Sequence, residues 1–305
     1  MGEHSMIPIK GYTTFDPLKH CIVGQAYPPS VIKNVLTTDA PLQQLYEIME
    51  RTEEDLQKLI SILQSTGVKC YRPTLHQEKN LRPPISPRDY FVVLGEHLFV
   101  GKVIAGYKEI LSSVDRKCIK WHLQTDVSSA NMVRCGNHIH WDIHPIVKKE
   151  NEEKILNWLN EQHYRVSITR YGWHMDGIYS IVKPGVIVAS HDLPELNTIY
   201  PNWDICYIES NTVIPGNQVV QDYMEKMYSG WVGNYRESNY DINILSINEE
   251  NCITTKENLK LFKFLEKHKI NPIICDFRDK QFWDNGIHCV TQDLYREGTM
   301  ENYFC

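Results

Sequence analysis

The stretch "YDINILSINEENCITTKENLKLFKFLEKHKINPIICDF" (240–277) contains one complete set of the predicted elements. Two apolar segments flank its Asn-Glu-Glu-Asn, and this pattern predicts a β-hairpin over 240–255. Apolar residues then follow helical spacing over 256–269, which predicts an amphipathic helix. The apolar run 270–277 predicts another strand. The unit is therefore a hairpin, then a helix, then a strand.

The same order of elements recurs upstream. Helices are predicted over 41–66 and 151–162, with Gly67 as the C-terminal cap of the first. Strands are predicted over 20–24, 68–73, 131–144 and 164–170, and hairpins over 89–103 and 178–190. No Gly/Ser-rich or low-complexity segment interrupts the series, so we predict a single domain over 6–305. Residues 1–5 read as a remnant of expression, with Met6 as the native start.

Composition narrows the class of protein. The 305 residues carry a net charge of −6, which gives no electrostatic reason to bind nucleic acid or an anionic membrane. No run of eighteen or more apolar residues predicts a transmembrane helix. The nine cysteines form no C-x-x-C pair, as expected of a reduced, cytoplasmic protein.

The segment "NGIHCVTQDLYREG" (285–298) contains the first candidate for chemistry, Cys289. A thiolate is a strong nucleophile, but a free cysteine has a pKa of about 8.5, so a site must lower that pKa or accept the proton. Taken alone, Cys289 is more often a small buried residue than a nucleophile.

The segment "YGWHMDGIYSIVKPG" (171–185) contains the second candidate. His174 and Asp176 stand two apart, so in an extended segment both point to the same side, which suits an acid/base group beside a carboxylate that holds a cation. The alternative is a turn histidine with an aspartate cap. Asp89 in "SPRDYFVV" (86–93) lies at the start of an apolar strand, and its alternative is a solvated strand end.

Histidines and an aspartate alternate in "HIHWDIH" (138–144). Ligands at every second residue could bind a metal from one face of a strand. A strand with its polar face in water gives the same pattern, and no second cluster completes a site, so we predict no metal. Phosphate-binding loops and a G-x-S-x-G serine motif are absent from the sequence, and no cofactor is expected.

Taken in order, these segments resemble the amidinotransferases of the glycine amidinotransferase type, over nearly the whole chain. The motifs that carry the resemblance are "FDPLKHCIVGQ" (15–25), "SPRDYFVVLGEHLF" (86–99), "SSANMVRCGN" (128–137), "HMDGIYSIVKPGVIV" (174–188), "NYDINILSINEENCITT" (239–255) and "GIHCVTQDLYREGTMENY" (286–303).

The resemblance implies an α/β fold, a five-bladed propeller of ββαβ units with pseudo-fivefold symmetry and a central channel. It also implies that Cys289 is the nucleophile, that His174 is the general acid/base, and that Asp176 and Asp89 hold the guanidinium. The implied partners are a small guanidino donor and an amine acceptor, and a homodimer is expected. A hydrolase on the same fold, and a binder without turnover, are the alternatives.

Two positions depart from the family pattern. Asn131 stands where the family has an acid, and Asp126 cannot replace it on the same strand face, since it lies an odd number of residues upstream. Leu193 follows Asp192, where members that take free arginine have an Arg for the substrate's carboxylate. Asn131, Asn243 and Leu193 are therefore further substrate-binding candidates, and we expect a donor or acceptor that differs from the arginine–glycine pair. Lys183 is the cation that could compensate.

Overall fold

Short apolar strands joined by turns and helices build the chain. The computed structural model describes residues 6–36, 41–76, 81–101, 105–121, 128–209, 218–228 and 240–304. The strands within these ranges are β1 Leu18–Val23, β2 Lys69–Tyr71, β3 Phe91–Leu94, β4 His97–Val100, β5 Ile119–Trp121, β6 Met132–Cys135, β7 His138–Asp142, β8 Arg165–Thr169, β9 Tyr179–Lys183, β10 Val186–Ala189, β11 Asp204–Tyr207, β12 Leu245–Asn248, β13 Asn251–Thr254, β14 Asn271–Ile274 and β15 Thr291–Arg296.

Helices separate these strands at regular places. They are α1 Pro29–Val35, α2 Leu42–Ser65, α3 Lys108–Ser112, α4 Lys149–Glu161, α5 Leu196–Ile199, α6 Gln218–Tyr228, α7 Leu259–Lys267 and α8 Lys280–Trp283. Single 3₁₀ turns lie at Pro87–Asp89, Ala105–Tyr107 and Met175–Gly177. The helices predicted over 41–66, 151–162 and 256–269 correspond to α2, α4 and α7.

The described strands form five three-stranded sheets, in the orders β15-β1-β2, β3-β4-β5, β6-β7-β8, β9-β10-β11 and β12-β13-β14. In every sheet the middle strand pairs antiparallel with the first strand and parallel with the third. A parallel neighbour needs a crossover, and a helix supplies it each time. The predicted five-bladed α/β-propeller of ββαβ units is thereby confirmed, with the C-terminal β15 closing the sheet that β1 begins.

Burial falls from the first strand of each sheet to the third. β3 and β6 are buried throughout, whereas the third strands β2 and β14 have exposed residues. Apolar side chains fill the space between neighbouring sheets: Ile22 of β1 and Leu294 of β15, for example, share a cluster with Phe91 and Val93 of β3. The first strands therefore line the centre of the propeller.

Tight turns fix the hairpins. Gly185 has φ +78° after Pro184, the arrangement of a type II turn between β9 and β10. The segment predicted as one strand over 131–144 is instead two antiparallel strands, β6 and β7, because the chain reverses at Gly136, whose φ is +65°. None of the described helices is both long and apolar enough to cross a membrane.

Candidate active site

Five of the candidate site residues occupy equivalent places in the five sheets. Each lies just before the first, innermost strand of its sheet: Asp89 before β3, Asn131 before β6, Asp176 before β9, Asn243 before β12 and Cys289 before β15. Because these strands surround one axis, their leading ends meet, and side chains that are far apart in sequence come into contact.

Asn243 holds the segment that carries Cys289. Its side-chain oxygen accepts the backbone N–H groups of His288 (2.8 Å) and Cys289 (3.1 Å). Its amide nitrogen donates to the Cys289 sulfur (3.0 Å) and to the backbone oxygen of Asp176 (3.0 Å). Both polar groups of Asn243 are thus engaged within the protein, which differs from the substrate contact that the sequence suggests.

Gly286 makes this approach possible. A Cβ at position 286 would lie 2.4 Å from Oδ1 of Asn243 and 2.5 Å from its Cβ, far inside van der Waals contact. Packing therefore requires a glycine at position 286. Asn243, which positions the thiol, occupies the space that a side chain at position 286 would take.

Asp176 lies beside the thiol. Its Oδ2 is 3.4 Å from the Cys289 sulfur and 3.0 Å from Nδ1 of His288. Burial by itself would raise the pKa of Asp176, but the hydrogen bond and charge of His288, with the charges of His174 and Arg88, bring that pKa below its ordinary value. The carboxylate is therefore ionised at neutral pH.

His174 and Asp89 face each other at the same site. Nδ1 of His174 lies 3.9 Å from Oδ1 of Asp89, within ion-pair range but too far for a hydrogen bond. About half of the His174 side chain (54%) is exposed. Burial raises the pKa of Asp89, and the charges of His174 and Arg82 only partly offset that effect.

Two carboxylate oxygens at this site have no hydrogen-bond partner among the residues that the structure describes. They are Oδ1 of Asp89 and Oδ1 of Asp176, and both atoms are buried. A buried carboxylate oxygen without a donor costs free energy unless a ligand supplies one. The pair therefore favours a cationic ligand that has several N–H groups.

The thiol is electrostatically suppressed in the free protein. Burial raises the pKa of Cys289 well above its ordinary value, and the charges of Asp176 and Asp89 raise it further. A bound cation would compensate both carboxylates and lower this pKa. Cys289 can thus lose its proton and become a thiolate when a cation occupies the site.

Asn131 does not point its amide at a ligand. Its Nδ2 donates to the backbone oxygen of Trp173 (2.9 Å), and its Oδ1 accepts from the Ser128 hydroxyl (2.8 Å). Trp173 directly precedes His174, so Asn131 fixes the segment that bears the histidine. An ionised aspartate could not donate this hydrogen bond, so the departure from the family pattern serves the backbone. Asp126 lies outside the described residues.

Leu193 is not at a ligand-binding surface. It is 2% exposed and belongs to an apolar cluster with Met175, Ile187 and Tyr179. The expected substrate contact is therefore replaced by core packing, which an Arg could not provide. Lys183 ends β9, at the opposite end of that strand from Asp176.

Arg88 connects the Asp89 segment to the Cys289 segment. Its Nε donates to the backbone oxygen of His288 (2.8 Å), and its Nη2 pairs with Asp293 of β15 (3.0 Å). Arg134 and Arg296 pair with the same carboxylate, and all four side chains are almost fully buried. The charges of three arginines hold the pKa of Asp293 well below its ordinary value, even though burial opposes this.

His138 and His140 lie on β7, which is buried along its whole length, and the half-buried His144 follows that strand. The polar strand face in water that the pattern suggests is therefore wrong. His138 contacts Ser167 (2.9 Å), and His140 contacts Tyr179 (2.7 Å) and Thr169 (3.0 Å). Within the ranges listed above, no group of three or more His, Cys, Asp or Glu side chains is arranged to hold a metal ion.

Asp142, in the same row, acts on the active-site loop. Its carboxylate accepts the backbone N–H groups of Tyr171 (2.9 Å) and Trp173 (2.7 Å). Asp142 and Asn131 thus fix the two peptide groups of Trp173 from both sides. No local pattern in the sequence indicates this role, because the partners are 29 and 31 residues away.

A small cavity lies behind Asp176 and His288, lined also by Ser129, Ser180 and Met132. Its volume of about 10 Å³ suits one water molecule. This volume is too small for a guanidino compound.

The chain is similar over its whole length to known amidinotransferases. It is 21% identical to the L-arginine:L-lysine amidinotransferase of Pseudomonas savastanoi pv. phaseolicola, over 97% of this chain and 96% of that protein. The mitochondrial glycine amidinotransferase of Xenopus tropicalis is 19% identical, over 97% of this chain and 85% of that protein. No family model matches the chain.

Solved structures show the same fold. An amidinotransferase of the saxitoxin biosynthetic pathway from Microseira wollei superposes with a TM-score of 0.72 at 21% identity, over 97% of this chain and 100% of that one. The inosamine-phosphate amidinotransferase of Streptomyces griseus gives 0.72 at 18% identity, over 97% and 99%. A dimethylarginine dimethylaminohydrolase gives 0.63 at 13% identity, over 90% and 99%.

Proposed function

Since the chain is a relative of the amidinotransferases, which are enzymes that transfer amidino groups, we propose that it moves an amidino group from a guanidino donor to an amine through a covalent intermediate on Cys289. The donor is arginine or an arginine derivative. The reaction needs a nucleophile, an acid/base group and a holder for the guanidinium, and the proposal assigns these roles to Cys289, His174 and the pair Asp176 and Asp89.

One observation carries the proposal: the buried, unpartnered oxygens of Asp89 and Asp176 beside the Cys289 thiol. A guanidinium is planar, carries a delocalised charge and presents N–H donors in a fixed geometry. Charge-assisted hydrogen bonds from both carboxylates would fix its plane against the sulfur. Its positive charge would also lower the raised pKa of the thiol, so binding of the donor and activation of the nucleophile are coupled.

In the first half-reaction the Cys289 thiol gives its proton to His174, and the resulting thiolate attacks the central carbon of the guanidinium and forms a C–S bond. The C–N bond to the donor's amine then breaks, and protonated His174 gives its proton to that departing nitrogen. An amidino group remains on the sulfur as an isothiouronium, a cation that Asp176 can continue to hold. The amine product leaves from the exposed side of His174.

In the second half-reaction the acceptor amine attacks the same carbon. His174, now neutral, takes a proton from the attacking nitrogen, the C–S bond breaks, and the thiolate is restored. The product is a new guanidino compound, and His174 is protonated again for the next donor. Alternate visits of donor and acceptor to one site give ping-pong kinetics.

Leu193 supports a particular class of substrate. Where the family pattern has an Arg for an α-carboxylate, this chain has a buried apolar side chain. We therefore propose that the donor or the acceptor lacks a free carboxylate next to its amine. A specialised biosynthetic role, a homodimer and a cytoplasmic location stay predictions from the sequence.

Hydrolysis is the second candidate function. The observation that favours it is the exposure of His174, because solvent at the acid/base group could supply a water to attack the isothiouronium. Such an enzyme would release urea without an added amine.

The test is mass spectrometry of the Cys289 peptide after incubation with arginine or agmatine, the arginine analogue without a carboxylate. We expect the mass of one amidino group on Cys289, lost in Cys289→Ala and kept in Cys252→Ala, a buried cysteine on β13. Addition of lysine, glycine or a simple diamine should clear the adduct as a new guanidine. Release of urea without any added amine would select hydrolysis, and no adduct with either donor would overturn the covalent proposal.

A further inference from the structure

His288, the residue before the nucleophile, has no role in the reaction described above, yet it is buried at the centre of the site. Its side chain is 9% exposed, and its Nδ1 lies 3.0 Å from Oδ2 of Asp176. An ionised carboxylate only accepts hydrogen bonds, so Nδ1 carries the proton and donates it. Histidine is thus present as a donor, in a defined tautomer.

The backbone of His288 is held on both sides. Its N–H donates to Asn243 (2.8 Å), and its carbonyl accepts from Nε of Arg88 (2.8 Å) and from the Thr291 hydroxyl (2.9 Å). These contacts fix the ring relative to the Cys289 segment and to the Asp89 segment. A donor held in this way can in turn fix a partner, as residues that orient catalytic groups do.

The partner is the carboxylate of Asp176, whose two oxygens have different surroundings. Oδ2 accepts the hydrogen bond from Nδ1 of His288 and lies near the Cys289 sulfur. Oδ1 has no hydrogen-bond partner among the described residues. Rotation of the carboxylate would exchange the two. The hydrogen bond from His288 holds Oδ2 and leaves Oδ1 to accept from a ligand.

We propose that His288 is a positioning residue, which orients the Asp176 carboxylate and keeps it ionised so that it recognises the amidinium plane of the substrate. This inference rests on the proposed guanidinium-binding role of Asp176. His288 does not touch the reacting carbon in it and gives or takes no proton during the reaction.

A neutral donor suits this task. Burial and the charge of Arg88 lower the pKa of His288 to about 4, with Asp176 and Asp293 opposing them, so the ring is uncharged at neutral pH. A lysine or arginine at this position would also bond Asp176, but its charge would neutralise the carboxylate and repel a guanidinium. The groups that act on Asp176 are then His288, His174, Arg88, Cys289 and, through its charge, Asp89.

The test uses two reagents that differ in charge and alkylate the same sulfur. 2-Chloroacetamidine is a cation with the amidinium plane, and 2-chloroacetamide is its neutral analogue. The ratio of their alkylation rates at Cys289, read by peptide mass spectrometry, measures recognition of the cation and needs no turnover. The variants are His288→Ala, which removes the donor, and His288→Asn, whose amide nitrogen can replace Nδ1. His20→Ala is the matched control, because His20 is also hydrogen-bonded, to Tyr71, but on β1.

We expect a ratio well above one in the wild type and in His20→Ala. In His288→Ala the ratio should fall about tenfold to a hundredfold, the factor for the loss of a hydrogen bond to a charged group. His288→Asn should keep most of it. In the wild type the ratio falls as the pH drops through the lowered pKa of Asp176. Without the donor, only the charges of His174 and Arg88 oppose the effect of burial on the pKa of Asp176, and the fall should move to higher pH.

The outcomes separate two failures. A wild-type ratio near one would mean that the site does not select cations, which contradicts the proposed function itself. A high wild-type ratio that His288→Ala leaves unchanged in size and in pH dependence would overturn only the role of His288. If His288→Ala is too unstable to assay, a low ratio in folded His288→Asn, whose unfolding curve matches the wild type, would overturn it as well.

Discussion

Replacement of Asn131 by aspartate restores the acid of the family pattern and tests what position 131 does here. In the structure its Nδ2 donates to the backbone oxygen of Trp173 (2.9 Å), and the residue is 5% exposed. A carboxylate is an acceptor, so Asn131→Asp would place it against the Trp173 carbonyl. It would also lie in the segment where Asp142 already accepts the Trp173 N–H. We therefore expect a loss of stability.

The size of that loss follows from the contacts. A buried polar group that loses its hydrogen-bond partner costs about 1–3 kcal/mol. Asn131→Ala leaves the Trp173 carbonyl and the Ser128 hydroxyl without the Asn131 amide, so it should show this cost without an added charge. The added charge has no donor except the Ser128 hydroxyl, so Asn131→Asp should cost at least about 1 kcal/mol more at pH 7, since burial of a poorly paired charge is unfavourable. The segment that carries His174 would also loosen, and a loss of about 1.4 kcal/mol from the transition state is tenfold in rate.

The assay is urea unfolding of the wild type, Asn131→Asp and Asn131→Ala at several pH values. The carboxyl introduced at position 131 should have a raised pKa in the folded state. Its penalty is then complete above that pKa and disappears below the ordinary value of about 4, because a protonated carboxyl can donate to Trp173. The deficit of Asn131→Ala should not depend on pH. The reasoning is refuted if Asn131→Asp is as stable as the wild type at pH 7, or if it accelerates transfer from arginine.

Three further predictions concern the nucleophile and the buried ionic cluster. Because burial and the charges of Asp176 and Asp89 raise the pKa of Cys289, its alkylation by iodoacetamide should still accelerate above pH 9; a plateau below pH 8 would contradict this. Gly286→Ala would push Asn243 away from the Cys289 sulfur, so the rate of amidino transfer should fall at least about tenfold. Gly177→Ala is the control in the same rate assay, because its new Cβ meets no atom within 4 Å. Asp293→Asn should cost about 3–5 kcal/mol in urea unfolding, because three buried guanidinium groups lose their carboxylate. Since the pKa of Asp293 is lowered by folding, the stability it contributes is present above its unfolded pKa and should persist well into acid; an unchanged unfolding free energy at pH 7 would argue against the cluster's contribution.

The candidate active site could be predicted from sequence as far as local signals extend. Cys289 follows a glycine and a histidine, His174 and Asp176 stand two apart, and Asp89 begins an apolar strand. Each of these is visible within a few residues, and their order along the chain gives the resemblance to a family. His288 and Asp142 carry no such signal, since the groups they orient lie 112 and about 30 residues away.

The repeating unit of hairpin, helix and strand can be predicted from the sequence alone. Alternating apolar runs, turn residues and helical spacing specify hairpin, helix and strand locally, because each element buries its own apolar face. These are local preferences, and the printed sequence contains all of them.

Which side chains contact one another at the centre of the propeller depends on the tertiary structure. The leading ends of five inner strands converge. The Asn243 amide thereby donates to the Cys289 sulfur, and the Asn131 amide donates to the Trp173 carbonyl. Leu193 packs in the core. An asparagine in the sequence can be a ligand for a substrate or for the backbone. The choice depends on which unpaired groups the fold brings within about 3 Å of it, and that is a property of the packed molecule.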